Sequence, residues 1–197
     1  MLLIQFNQIL DCLEKNAKVC KENDDPEKRK NAILGLQALV TEIGFCSEIM
    51  REKEIERIFT ILFQALNDYT MDKRGDIGSI VREATMSAIM AIIERYSLDE
   101  KPQWKIGPEL ITKAIGLYLQ QLSEKIDRIR LLSGSLLQKF FDYYDHLFIL
   151  PDHKQLKSIF QQSNIKKLIK ESENIIDGNL ETEVIKMEMK IQETIFH

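Results

Sequence analysis

Along this chain the apolar residues recur at helical spacing and not in alternation. Leu2, Phe6, Ile9, Leu10, Leu13 and Ala17 fall on one face of a first helix that should run to about Cys20. The stretch NDDPEKRK predicts the start of a second: Asp24 or Asp25 can cap it and Pro26 suits the first helical position. Ala32, Ile33, Leu36, Val40 and Ile43 form its buried face, and Gly44 its stop. Ile55, Ile58, Phe59, Leu62, Phe63 and Leu66 mark a third helix; a loop follows, then a fourth that buries Ile77, Ile80, Val81, Ala84, Ala88 and Ile92. SLDEKPQWKIGPE, residues 97–109, reads as a linker, with Pro102, Gly107 and Pro108 crowded around the single tryptophan, Trp104. A fifth helix from Pro108 to about Leu122 buries Ile111, Ala114, Ile115 and Tyr118; a sixth, capped by Ser123, buries Ile126, Ile129, Leu136 and Phe140. Beyond Pro151 a shorter segment with Leu156, Ile159 and Phe160 leads to a last pair of helices separated by Asp177-Gly178-Asn179. The final one is striped by Leu180, Val184, Met187, Ile191 and Ile195.

About nine helices joined by short turns suggest a repeat. PEKRKNAILGL, DIGSIVREATMSA and SEKIDRIRLLSGS can be aligned on Lys30, Arg82 and Arg130, which recur roughly every fifty residues, slightly above the period of HEAT and armadillo units. Such units are helix pairs that bury their apolar faces only by stacking on neighbours. The predicted class is therefore all-α, an α-solenoid of HEAT- or armadillo-like helix pairs in residues 1–150. Residues 151–197 form a C-terminal helical extension, part of the same solenoid or its cap. An irregular helical bundle is the plainer alternative.

Composition supports helix and narrows the chemistry. Apolar residues make up 44% and charged residues 29%, with four prolines, eight glycines and only four valines, a balance that suits a helical globular chain and not a disordered one. A net charge of −4 gives no global attraction for nucleic acid. Cys12, Cys20 and Cys46 lack zinc-type spacing and are odd in number, which fits reduced thiols in the cytoplasm. The opening MLLIQFNQIL has no basic flank and no small-residue cleavage site, and no window reaches the ~18 apolar residues of a membrane span. Neither GxxxxGKS/T nor GxSxG occurs, so nucleotide binding and ester hydrolysis are not expected. Asp142 and His146 share a helix face, with Asp145, Asp152 and His153 nearby, but no second helical histidine completes a HExxH-type site. The chain reads as a non-enzyme without cofactor or metal.

Residues 74–76, Arg-Gly-Asp, spell the tripeptide that adhesion proteins display on flexible loops. Here an apolar stripe opens at Ile77, one residue later. The setting fits a helix start better: glycine can take the positive φ of a reversal, and Asp76 can accept hydrogen bonds from the first free N–H groups, together worth about 1 kcal/mol.

NDYTMDKRGDIGSIVREATM and, further on, QQLSEKIDRIR resemble the C-terminal helical-repeat region of the tubulin folding cofactor D family, also called tubulin-specific chaperone D. The matching residues are Asp68-Tyr69-Thr70, Asp72 to Gly78, Val81-Arg82, Ala84 and Met86, then Ser123 to Arg128 with Arg130. The likeness spans about Leu66 to Phe160 and fades after Gln161. It implies a HEAT-repeat fold and a cytoplasmic, cytoskeleton-associated role in assembling the αβ-tubulin heterodimer after the chaperonin. The implied partners are β-tubulin, cofactors C and E, and an Arl-type small GTPase, with stimulation of tubulin GTP hydrolysis only inside the cofactor complex. A generic HEAT or armadillo interaction scaffold is the alternative; neither reading involves nucleic acid or membrane.

Contact candidates follow from charge and position. Arg82 and Arg130 each follow a β-branched core residue; they can meet an acidic partner through the guanidinium fork or pair with Asp68, Asp76 or Asp127 as an internal ladder. The polar loop from Asn67 to Gly75, with Asp68, Asp72, Lys73 and Arg74, is the better surface, a capping role being its alternative; Asp76 after it, and Lys125, Asp127 and Arg128 at the start of the sixth helix, are further candidates. Residues 153–170 hold five lysines and no acid, with Lys166 and Lys167 at the centre, a local basic patch suited to an acidic partner or to a solvated helix face.

Overall fold

Asp25 and Pro26 start a helix as their chemistry requires. The Asp25 carboxylate accepts the N–H of Glu27 at 3.0 Å, and proline occupies the first helical position. The computed structural model describes residues 2–20, 25–45, 48–150 and 153–160. Among these residues seven α-helices follow in order: α1 (Leu2–Ala17), α2 (Pro26–Ile43), α3 (Glu52–Ala65), α4 (Ser79–Leu98), α5 (Pro108–Leu122), α6 (Asp127–Tyr143) and α7 (His153–Phe160). A 3-10 turn at Asp145–Leu147 precedes α7. The last pair of helices expected from the sequence lies outside the described residues.

The chain is all-α and its helices stack as a solenoid. α2, α4 and α6 pack side by side in one layer, with α1, α3 and α5 behind them. The core runs unbroken from Phe6 and Leu10 of α1 to Phe160 of α7. Central α4 is enclosed by α2, α3 and α6, so it buries Val81, Met86, Ala88, Ile89, Met90, Ile92 and Ile93 on nearly all sides. That explains why its apolar residues do not form a single stripe in sequence. At the far end Phe141 of α6 stacks on Phe160 of α7, centroids 5.6 Å apart.

Gly44 ends α2 at φ 67°, and a Cβ there would lie 2.2 Å from Nη2 of Arg95, so both the conformation and the close approach require glycine. Arg95 bonds the Thr41 carbonyl and Asp99, and Asp99 accepts the N–H of Phe45. The inter-helix turn is thereby tied to the end of α4.

Several expectations are corrected. Ile9 is 48% exposed, because α1 packs through Phe6, Leu10 and Ala17, a narrower stripe. Ser123 does not cap α6. It ends α5, its hydroxyl donating to the Gln120 carbonyl, and α6 opens at Asp127 after an extended Ile126 with no side-chain cap. The buried row of α6 passes through Leu137 while Leu136 is half-buried. The loop after α3 is a short hairpin, β1 (Met71–Asp72) and β2 (Gly75–Asp76), paired antiparallel with Met71 opposite Asp76. Two residues follow it before α4 starts, since the Thr70 carbonyl takes the N–H groups of both Ile77 and Gly78.

Candidate functional site

Three arginines occupy the fourth position of their helices: Arg29 in α2, Arg82 in α4 and Arg130 in α6. Their shared register places each guanidinium at the end of the stack where the hairpin and the α5–α6 turn lie. The pattern-based alignment chose Lys30; the side chain in register is Arg29, while Lys30 pairs with Glu27 at the surface. Counting from the Pro26 helix start would have found it.

Arg29 is fully buried. Its Nε donates to Oδ2 of Asp68 at 2.7 Å and its Nη2 to the Thr70 hydroxyl at 3.3 Å. Asp68, 1% exposed, also accepts from the Thr70 hydroxyl at 2.6 Å. Arg82 is fully buried as well: Nη1 donates to the Asp68 carbonyl at 2.8 Å, Nη2 to Asp76 at 2.9 Å and Nε to Gln121 at 3.0 Å. The Arg82 guanidinium lies 4.2 Å from the ring centroid of Tyr69, whose hydroxyl donates to Glu124 at 2.5 Å. Burial, and next the Glu124 carboxylate, push the Tyr69 hydroxyl above its ordinary pKa. A buried charge needs this degree of satisfaction, since an arginine left with an empty fork costs several kcal/mol.

The ladder fixes the hairpin. Asp76 accepts the N–H of Ser79 at 3.0 Å as well as pairing with Arg82, so it caps α4 as expected. Gly75, at φ 110°, makes the reversal. Gly78 runs so close to the preceding turn that a Cβ would lie 2.1 Å from the Asp68 carbonyl. The adhesion reading has no free aspartate to display.

The candidate residues thus divide. Asp68 and Arg82 are interior, and Asp76 is mostly covered. Asp72, Lys73 and Arg74 form the exposed tip, where Arg74 holds the Asp72 carboxyl below its ordinary range. Lys125, Asp127 and Arg128 are exposed beside it. Arg130 donates to the Glu124 carbonyl at 2.6 Å and to Asp127 at 2.5 Å, its side chain 42% exposed. Arg128 reaches back to α4, pairing with Glu83 and donating to the Ser79 hydroxyl. Lys166 and Lys167 lie outside the described residues. Sequence reasoning missed Gln121, Tyr69 and Glu124 as ladder members, because polar residues in a turn carry no sign of burial.

At the other candidate corner Asp145, not Asp142, is the engaged carboxylate. It is buried, with Nε2 of His153 at 2.5 Å and Nζ of Lys157 at 2.7 Å, both from α7. Burial pushes Asp145 up, but the hydrogen bonds from Lys157 and His153 together bring it below the ordinary aspartate value. Asp142 and His146 are exposed, Asp152 lies outside the described residues, and no group of three or more His, Cys, Asp or Glu is gathered for a metal among those described. A shallow cleft of about 260 Å³ opens between the ends of α1 and α3, lined by Ala17, Val19, Ile61, Gln64 and Asn67. No helix among the described residues is long and apolar enough to cross a membrane.

Fold and surface together define a helical-repeat protein whose turns are held rigid by a buried arginine ladder. Within that class the chain is similar to tubulin folding cofactor D, in its C-terminal region. Residues 112–187 match the family described as Tubulin folding cofactor D C terminal. The likeness therefore continues past Gln161, where reading the sequence lost it. The chain is 29% identical over 107 residues to the tubulin-folding cofactor D of Schizosaccharomyces pombe, covering 54% of this chain and 9% of that protein. It is 25% identical over 186 residues to the tubulin-specific chaperone D of Dictyostelium discoideum, covering 77% of this chain and 12% of that protein. The chain thus spans about a tenth of the relatives' length. No solved structure matches.

Proposed function

We propose that the chain is a HEAT-like binding segment of a tubulin folding cofactor, working in the cytoplasm on β-tubulin as the αβ heterodimer is assembled. The match of residues 112–187 to the cofactor D C-terminal family carries this reading. The surface offered to the client is the exposed hairpin tip, Asp72, Lys73 and Arg74, with Lys125 of the α5–α6 turn and Asp127 and Arg128 at the start of α6. Fellow cofactors C and E and an Arl-type GTPase are further partners of the same scaffold. Any effect on GTP hydrolysis acts through tubulin, since the chain contributes surface and not a reacting group. The buried ladder supplies what such a surface needs: loops already held in their binding shape lose little freedom when the partner docks.

The test is capture of purified β-tubulin by the immobilised chain. Wild type should retain it, and the tip variant Asp72→Lys with Lys73→Glu should retain several-fold less. A wild-type chain that fails to capture β-tubulin, while its circular dichroism is that of a folded helical protein, overturns the proposal. Asp76 is unsuited to this test because its substitution would also unpair Arg82.

A further inference from the structure

We propose that residues 161–197 of this chain dock on the outward face of α6, laying the helix expected over residues 180–195 along Leu131, Gln138 and Asp142. The inference does not depend on which client the chain serves. It rests on a register shared by the second helices of the pairs. On α4 the first, fifth and sixteenth residues, Ser79, Glu83 and Glu94, are each engaged by α6: Arg128 donates to the Ser79 hydroxyl and pairs with Glu83, and Lys139 pairs with Glu94. Met86 and Met90 lie on the same face by helical spacing and are buried. On α2 the sixteenth residue is Thr41, and its carbonyl accepts from Nε of Arg95 of α4 at 2.9 Å. Each of these helices thus takes a cation from the next at the same place.

The equivalent face of α6 is open among the described residues. Its fifth residue, Leu131, is 73% exposed, and its sixteenth, Asp142, is exposed with no partner among those residues. Gly134 and Gln138, the counterparts of Met86 and Met90, are only half-buried. The last described residue, Phe160, stacks on Phe141 of α6, so the chain passes into residue 161 beside this helix. Residues 161–197 are as long as the whole α5–α6 pair, residues 108–143. One family match, residues 112–187, takes in both this face and most of that stretch. The stripe of Leu180, Val184, Met187, Ile191 and Ile195 offers apolar cover for Leu131. By helical spacing Lys186 and Lys190 fall on the same flank of that stripe as Arg128 and Lys139 take beside the buried row of α6. They can therefore meet Asp142 as Lys139 meets Glu94.

Photo-crosslinking of the full chain reads the contact directly. A benzophenone amino acid in place of Leu131 should give, on irradiation, a product of monomer mass whose cross-linked peptide lies within residues 180–195. In hydrogen exchange the amides of residues 180–195 should be protected in the wild type, and Leu131→Glu should quicken them about tenfold while α4 stays unchanged. Asp142→Lys should quicken them about threefold, and adding Lys186→Glu with Lys190→Glu should restore the protection. Leu98→Glu, the same change at a residue 74% exposed at the end of α4, should leave them as they are. A cross-linked dimer would make a second copy the occupant and overturn the proposal. So would a cross-link to another segment, no cross-link, unprotected amides in the wild type, or an equal effect of Leu98→Glu.

Discussion

Arg82 and Arg130 stand at the same position of α4 and α6, the second helices of successive pairs, and follow the same kind of core residue, yet one is sealed and the other half in solvent. What differs is the cover. Arg29 is closed over by Asp68 and Thr70, which belong to the following helix pair. Arg82 keeps its own Asp76 and is closed by Gln121, from the following pair again. Arg130 has only the Glu124 carbonyl and Asp127 of its own turn among the described residues. In a stack of helix pairs the same local signature therefore becomes an interior bond or a surface bond according to what the next pair brings. Such a protein draws stability from its interfaces between units.

The contrast can be broken first at its sealed end. Arg82→Ala leaves Asp76 without its fork and the Asp68 carbonyl without its donor, and should cost about 3–5 kcal/mol in urea unfolding. Asp145→Asn should cost about 1–3 kcal/mol, because Lys157 and His153 lose a buried charged acceptor; hydrogen exchange of α7 should quicken more than that of α4. The pH dependence has a definite sign. Asp145 is held below its ordinary value, so its contribution is present above about pH 4 and is lost as pH falls through its lower folded value. Wild-type α7 should therefore loosen on acidification while the Asn variant, already loosened, changes less. Tyr118→Phe removes a buried 2.7 Å bond to the Met86 carbonyl and should cost about 1 kcal/mol in the same unfolding assay. Arg130→Ala closes the series, with under about 1 kcal/mol expected for a pair exposed on both sides.

Much of this fold was legible in the sequence because it rests on local signals. Asp25-Pro26, Gly44 and Gly107-Pro108 bound their helices by backbone chemistry, and the buried faces of α3 and α5 follow their spacing. The hairpin was not legible: two residues a strand give no alternation to read. Ser123 misled because a serine ending one helix looks like a serine starting the next when the turn is short. The candidate site was half legible. Its charged residues were found, but which of them point inward depends on the following helix pair, information spread over some forty residues. Tyr69 and Gln121 gave no sign of their part at all.

Double-mutant cycles test the central claim most directly, by comparing the coupling of Arg82 with Asp76 and with Gln121 to the coupling of Arg130 with Asp127. The account predicts a combined coupling above about 2 kcal/mol around Arg82 and below about 0.5 kcal/mol for Arg130 with Asp127. Equal couplings at the two positions would contradict it.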